Sequence, residues 1–247
     1  MTGMLASVIS IAEANIVLKE DVDIIDLKNP NEGALGALET NIVSAIVNSV
    51  NGIIPTSATI GDIEPCDPNL LQRIINMAKT GVDFVKVGLF DITPPDNFIQ
   101  AINKAGSNNI NIVIVLFAED YSNQDTLKML LNCDIKGVML DTKNKSDKNL
   151  CSLLDYRVLE EFVNLARTHE LLSGLAGSLC LEDIDSLLNI EPDYLGFRGA
   201  LCSGHDRIKS IDPIQIRKIR NAVPQHKIFN YDNREYKEEV SINGSVA

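Results

Sequence analysis

Membrane-length apolar runs are missing from this 247-residue chain. No stretch approaches the roughly 20 consecutive apolar residues that cross a bilayer. The segment Met1 to Ser10 carries no basic region ahead of its short apolar run, and Ile11 to Glu20 reads as an ordinary helix. A cytoplasmic protein with no membrane partner is expected. Paired cysteines are missing too. Cys66, Cys133, Cys151, Cys180 and Cys202 are odd in number and scattered, with no C-x-x-C pair, which favours reduced thiols over a disulfide framework. His169, His205 and His226 lack ligand spacing, so no metal is expected. Positive charge is scarce: 22 Lys and Arg face 34 Asp and Glu, for a net charge of −12. No basic cluster with interleaved aromatics offsets that repulsion, which argues against nucleic acid as a partner. A small phosphorylated ligand stays compatible, because local backbone N–H groups hold an anion whatever the global charge.

What is present is a 45% hydrophobic chain that can bury a sizeable core. Its length suits one eight-stranded α/β barrel, although two smaller domains also fit. Short β-rich runs alternate with helix-length amphipathic segments through eight cycles. The expected strands are Leu5 to Ile9, Asp23 to Lys28, Pro55 to Gly61, Asp83 to Phe90, Asn111 to Ala118, Gly137 to Thr142, Leu171 to Gly177 and Tyr194 to Gly199. The third helix is read with Asp67 as cap, Pro68 in its first position and Gly81 as its end. The sixth follows Asp155, and the eighth starts at Asp212-Pro213 and turns Ile216 and Ile219 inward. Repeated strand–helix units demand a parallel sheet, and eight of them close into a barrel more often than they stay open. The expected organisation is α/β, a single (β/α)8 barrel over residues 1–224 carrying the catalysis, followed by a polar C-terminal tail at 225–247.

Strands of such a barrel are covered on both faces, so an ionisable residue within one needs a reason. Three strands break the apolar rule. Asp26 and Lys28 lie two apart, hence on one face, near the C-terminal end where barrel active sites form. Lys86 stands among Phe84, Val85 and Val87, and Asp141 follows Met139-Leu140, with Lys143 and Lys145 in the next loop. An amine withdrawn from water sheds its proton more readily and attacks carbonyls to form an imine. Carboxylates beside it balance charge and relay protons. Structural ion pairs, Asp26 with Lys28 and Asp141 with Lys86, explain any one of these residues taken singly. Their recurrence on three strands at the catalytic face favours chemistry, with Lys28 as the Schiff-base lysine.

The seventh and eighth strands end in small residues, Ala176-Gly177-Ser178 and Arg198-Gly199-Ala200. Backbone N–H groups approach a phosphate closely at such residues, and the loops after these strands are the usual phosphate site of this fold. Ser178 and Arg198 are expected to add direct hydrogen bonds. Ser57 and Thr59 are candidates for the barrel interior, and Gly33 to Gly36 for a loop near ligand. His205-Asp206-Arg207 has a triad-like composition without a nucleophile and reads as a loop salt bridge or gate.

Taken together, Asp26-Leu27-Lys28-Asn29-Pro30, Ser57-Ala58-Thr59-Ile60-Gly61-Asp62, Lys86-Val87-Gly88, Leu140-Asp141-Thr142, Ala176-Gly177-Ser178 and Arg198-Gly199-Ala200 resemble the (5-formylfuran-3-yl)methyl phosphate synthases. The resemblance spans roughly residues 5 to 222. It implies a class I aldolase-like enzyme of methanofuran biosynthesis, a carbon–oxygen lyase acting on phosphates. Such an enzyme condenses two glyceraldehyde 3-phosphate molecules, with loss of phosphate and water. It further implies that Lys28 forms the imine, that Lys86 accepts a proton, and that Asp26, Asp141 and Lys145 assist proton transfers. Lys145 is preferred to Lys143 on its spacing from Asp141. The imine serves as electron sink, so no cofactor is expected. The chain departs from the family pattern at Phe117-Ala118-Glu119-Asp120, after Phe90 and beyond Pro224. Two alternatives stay open because fold does not fix substrate. One is another aldolase-like phosphosugar lyase or isomerase; the other is a non-catalytic sugar-phosphate-binding barrel. Assembly into a homo-oligomer is also left open.

Overall fold

A computed structural model of the chain describes residues 2–144 and 148–224. Eight parallel strands close into a barrel in chain order: β1 (Gly3–Val8), β2 (Ile24–Leu27), β3 (Thr56–Thr59), β4 (Phe84–Gly88), β5 (Ile112–Phe117), β6 (Gly137–Asp141), β7 (Leu172–Leu175) and β8 (Tyr194–Phe197). Nine α-helices alternate with them among the described residues: α1 (Ile11–Leu18), α2 (Thr40–Val50), α3 (Leu70–Ala78), α4 (Asp96–Gly106), α5 (Asp125–Leu130), α6 (Leu150–Leu153), α7 (Tyr156–Thr168), α8 (Leu181–Leu188) and α9 (Pro213–Ala222). All eight expected strands form, each within its expected segment or shifted by a residue or two at its ends, and the α/β barrel is the fold. The tail from residue 225 and the loop lysine Lys145 lie outside the described residues. No helix among the described residues is long and apolar enough to cross a membrane.

Alternation along each strand makes two cores. Residues facing outward pack against the helices, as Ile25, Leu27, Val85, Ile114 and Leu140 do, all almost wholly buried. Residues facing inward fill the barrel, where Leu5, Ile24, Val113, Met139 and Tyr194 form a separate apolar cluster. Glycine makes room for this filling at one position in particular. A Cβ on Gly174 would lie 2.4 Å from the ring of Tyr194. A large ring and a missing side chain thus share one layer on neighbouring strands.

The bottom of the barrel is tied by one recurring device. An aspartate directly before β2, β4 and β8 accepts an amide of the preceding strand beside it: Asp23 from Met4 at 2.7 Å, Asp83 from Thr56 at 2.8 Å and Asp193 from Ser173 at 2.7 Å. Arg220 of α9 completes it, its Nη1 donating to Asp23 at 2.6 Å and its Nη2 to the carbonyls of Val223 and Pro224. Polar groups at this end satisfy strand amides; those at the other end are left for the site.

Helix starts differ from expectation in one case. Asp67 accepts the amide of Asn69 at 2.7 Å and so caps a turn, and α3 begins only at Leu70. Asp212 caps α9 as expected, accepting from Ile214, with Pro213 in the first turn and Ile216 and Ile219 buried.

Candidate active site

At the C-terminal ends of the strands lies a cavity of about 710 Å³. Its floor is built by inward-facing residues one layer above the apolar filling: Ser7, Asp26, Lys28, Lys86 and Asp141. β2 and the residue after its end, β4 and β6 therefore bring together Asp26, Lys28, Lys86 and Asp141, the residues singled out from sequence as interruptions of apolar runs, and β1 adds Ser7.

Asp26 is fully buried and accepts three hydrogen bonds: from Ser57 Oγ at 2.6 Å, from Lys86 Nζ at 3.1 Å and from Ser7 Oγ at 2.9 Å. Strand register explains the hydroxyls, because Asp26 is the partner of Ser7 on β1 and of Ser57 on β3. Burial pushes the Asp26 carboxyl up, but the charges of Lys86 and Lys28 and the two hydroxyls outweigh it and hold the group below its ordinary value of 3.8. Asp26 is thus a fixed negative charge.

Lys28 stands one residue past the end of β2, and its Nζ lies 3.2 Å from Asp141 Oδ2 on the far side of the barrel. The ion pairing is therefore crossed relative to the sequence expectation: Lys28 with Asp141 and Lys86 with Asp26. A four-carbon stem reaching across the interior outdistances the two-residue spacing along the strand. Lys86 is 2% exposed and Lys28 7%, so both ammonium groups sit in a low-dielectric layer in which each is matched by one carboxylate.

Above this floor are the ends of β7 and β8. Gly177 (φ +115°) and Ser178 (φ +52°) both lie in the left-handed half of backbone space. At Gly177 this excludes a side chain, because a Cβ would lie 2.6 Å from Thr142 Cγ2. The amides of Gly177, Ser178 and Leu179 line the cavity region and donate to no other described residue. Gly199 and Ala200, the first residues of a 3-10 turn, form the adjoining wall.

Arg198 corrects the sequence reading. All five of its N–H donors are committed: Nε to the carbonyl of Arg207 at 2.9 Å, Nη1 to Ser7 O at 3.1 Å and Glu13 Oε2 at 2.6 Å, and Nη2 to Glu13 Oε1 at 3.3 Å and Lys209 O at 3.0 Å. No donor remains for a phosphate. The guanidinium instead clamps α1 and the loop after β8 to the barrel rim.

Lys143 does not enter the cavity. Its Nζ pairs with Asp120 at 3.2 Å and lies 5.6 Å from the ring centroid of Phe90, while the Lys143 and Asn144 amides bond Glu119. Glu119 and Asp120 thus anchor the chain at Lys143 and Asn144. Thr59 bonds the carbonyl of Gly36, and Asp62 accepts the amides of Ala34 and Leu35, so the Gly33–Gly36 loop is pinned beside the cavity.

Sequence reasoning missed Ser7 and Glu13. Ser7 carried a signal, a polar residue at an inward position two after Leu5 in an otherwise apolar strand. Glu13 carried none: it lies on a helix, and its partner is 185 residues away. All five cysteines are free thiols, and burial pushes Cys151 and Cys180 up to about 12.

A family profile described as 4-HFC-P synthase matches residues 4–220. A protein of Methylorubrum extorquens is 40% identical over 223 residues, covering 89% of this chain and 91% of its own length. The (5-formylfuran-3-yl)methyl phosphate synthase of Methanosarcina mazei is 34% identical over 227 residues, covering 87% of this chain and 97% of its own. Among solved structures, phosphoribosyl anthranilate isomerase from Thermus thermophilus superposes with a TM-score of 0.62 at 10% identity, over 90% of this chain and 98% of that one. A 3-hexulose-6-phosphate synthase superposes at 0.59 with 19% identity, over 90% of this chain and 100% of that one. Those structural likenesses concern the barrel alone.

Proposed function

The chain belongs to the (5-formylfuran-3-yl)methyl phosphate synthase (4-HFC-P synthase) family, and from that premise we propose that it condenses two molecules of glyceraldehyde 3-phosphate through an imine on Lys28. The observation that carries the reading is the crossed set of pairs on the cavity floor, two buried lysines each held by its own carboxylate.

Lys28 attacks the aldehyde of the first triose, water leaves, and Asp141, 3.2 Å from Nζ, takes up or returns the amine proton. The cationic imine acidifies the adjacent carbon. Lys86, in its neutral amine form, accepts the proton from that carbon, and Asp26 at 3.1 Å balances the ammonium charge so formed. The resulting enamine attacks the aldehyde of the second triose. Water then hydrolyses the imine and frees Lys28, and departure of one phosphate and two waters from the condensed six-carbon chain balances the equation to the furan product. Lys145 is retained as a proton-transfer partner, although it lies outside the described residues. Backbone amides at Gly177, Ser178, Gly199 and Ala200 hold the phosphate that stays.

The division of labour follows from the pairing. Asp26, buried and held ionised, suits a permanent countercharge for Lys86. Asp141 lies at the rim of the same layer and serves the amine that changes its covalent state. A cavity of this size lies within the range of small-molecule sites, roughly 300–1,000 Å³, and has room for two trioses.

Incubation with glyceraldehyde 3-phosphate and borohydride tests the reading directly. A reduced triose adduct on the Lys28 peptide, its absence in Lys28→Ala, and appearance of a furan aldehyde chromophore are the expected results. An unmodified Lys28 peptide together with normal turnover in Lys28→Ala would falsify the imine.

A further inference from the structure

Two trioses bring two phosphate groups, and the amides after β7 and β8 serve one. The second dianion needs its own cation inside a protein of net charge −12. Lys28 and Lys86 are each matched by a carboxylate on the cavity floor, and Arg198 has no donor left. Arg207, in the loop after β8, also lines the cavity. Its Nη2 donates to the carbonyl of Gly33 at 2.9 Å, whereas its Nε and Nη1 donate to no other described residue.

The side chain is presented rather than loose. Its own carbonyl accepts Nε of Arg198 at 2.9 Å, and the Lys209 carbonyl accepts Nη2 at 3.0 Å, so the loop is fastened on both sides of Arg207. Glu13 neutralises the fastening guanidinium at 2.6 Å. Gly33, the acceptor in the loop after β2, is itself held in the segment that Asp62 pins through Ala34 and Leu35. Arg207 is half-buried. Loss of water lowers its pKa, and the charge of Asp141 works against that, so the guanidinium shares the field of the carboxylate that pairs with Lys28.

We propose that Arg207 binds the phosphate of the second triose, the N–H of Nη2 that Gly33 does not take pairing with the unused donor beside it, Nε or Nη1, as the fork that suits a phosphate edge, with Arg198 as the positioning residue that fixes its loop. The assignment rests on the two-triose reading above and adds the group that makes the second molecule a phosphorylated one. It also explains why a guanidinium without a dedicated carboxylate is tethered by a neutral carbonyl: an incoming dianion does not have to displace a salt bridge.

The test compares wild-type enzyme with Arg207→Met and Arg207→Lys, using glyceraldehyde 3-phosphate as the probe. Borohydride trapping at Lys28 reports the first triose, and furan aldehyde formation reports the second. In Arg207→Met the concentration dependence of trapping stays as in wild type while the KM for turnover rises about tenfold to a hundredfold, the factor for a lost charged hydrogen bond. Arg207→Lys recovers part of it, keeping the charge without the fork. Melting temperatures matched to wild type tie the effect to binding. Wild-type KM in Arg207→Met overturns the assignment while leaving the imine reading intact. Trapping and turnover lost in parallel overturn it too, by moving Arg207 to the first triose or to the fold. An untrapped wild type removes the reading on which it rests.

Discussion

Lys28 and Asp141 meet at 3.2 Å across the barrel, although Asp26 is only two residues from Lys28 in the chain. That choice of partner separates two chemical roles. Asp26 is left to Lys86, and each carboxylate then governs a different proton. In Asp141→Asn the borohydride trap at Lys28 is expected to slow together with turnover. In Asp26→Asn trapping persists while turnover falls by about 10²–10⁴-fold, the scale of general acid–base assistance. Rates of adduct formation by mass spectrometry, set beside product formation, check both; equal losses in the two variants would dissolve the separation.

Asp26 also carries a stability prediction. Its carboxyl is held below 3.8 in the folded protein, so its contribution is fully present above that value and is lost as pH falls through the lower, folded value. Asp26→Asn should be less stable than wild type at neutral pH by about 3–5 kcal/mol, because Lys86 is left buried without a countercharge. The gap should narrow progressively as pH falls from 3.8 towards the lower, folded value. Urea titrations at pH 7 and near pH 3 measure it; a gap independent of pH would deny Asp26 its charge.

How far the chain itself revealed this arrangement depends on which interactions are local. Strand positions were legible because parallel strands covered on both faces must be apolar, and Lys86 or Asp141 within such a run stands out. Partner choice was not legible. The alternation that puts Asp26 and Lys28 on one face says nothing about the diameter of the closed barrel, which decides what a long lysine reaches. Arg198 was misread for a related reason: its place at the end of β8 suits a phosphate ligand, and only closure brings Glu13 of α1 within 2.6 Å to claim it. At α3, Asp67-Pro68 reads as a helix start, yet the side chain of Asp67 caps a preceding turn.

The Glu13–Arg198 pair should behave as a buried, bidentate bridge, both side chains being under 10% exposed. Glu13→Gln leaves the guanidinium short of a countercharge and should cost about 3–5 kcal/mol. The double variant Glu13→Leu with Arg198→Met should recover part of that loss, since replacing both partners removes the unpaired charge. Denaturant midpoints of Glu13→Leu, Arg198→Met and the double variant close the cycle. A double variant as unstable as the sum of the singles would show that the two side chains are not coupled.

Gly177 offers the sharpest separation of backbone geometry from side-chain chemistry at the phosphate site. Its φ of +115° lies outside what a side chain tolerates, and the added Cβ of Gly177→Ala would lie 2.6 Å from Thr142 Cγ2 and 3.0 Å from the Thr142 amide. Alanine must therefore rotate the loop, shifting the amides of residues 177–179. The strain alone should exceed about 1 kcal/mol of stability. Shortening the obstacle tests whether sterics or backbone angle dominates: in Gly177→Ala with Thr142→Ser the clashing methyl is gone and the angle is not. If the angle dominates, the double variant keeps both the lowered melting temperature and a raised KM for glyceraldehyde 3-phosphate. Return of both to wild-type values would assign the whole effect to the Thr142 methyl and leave the left-handed conformation without a role in holding phosphate.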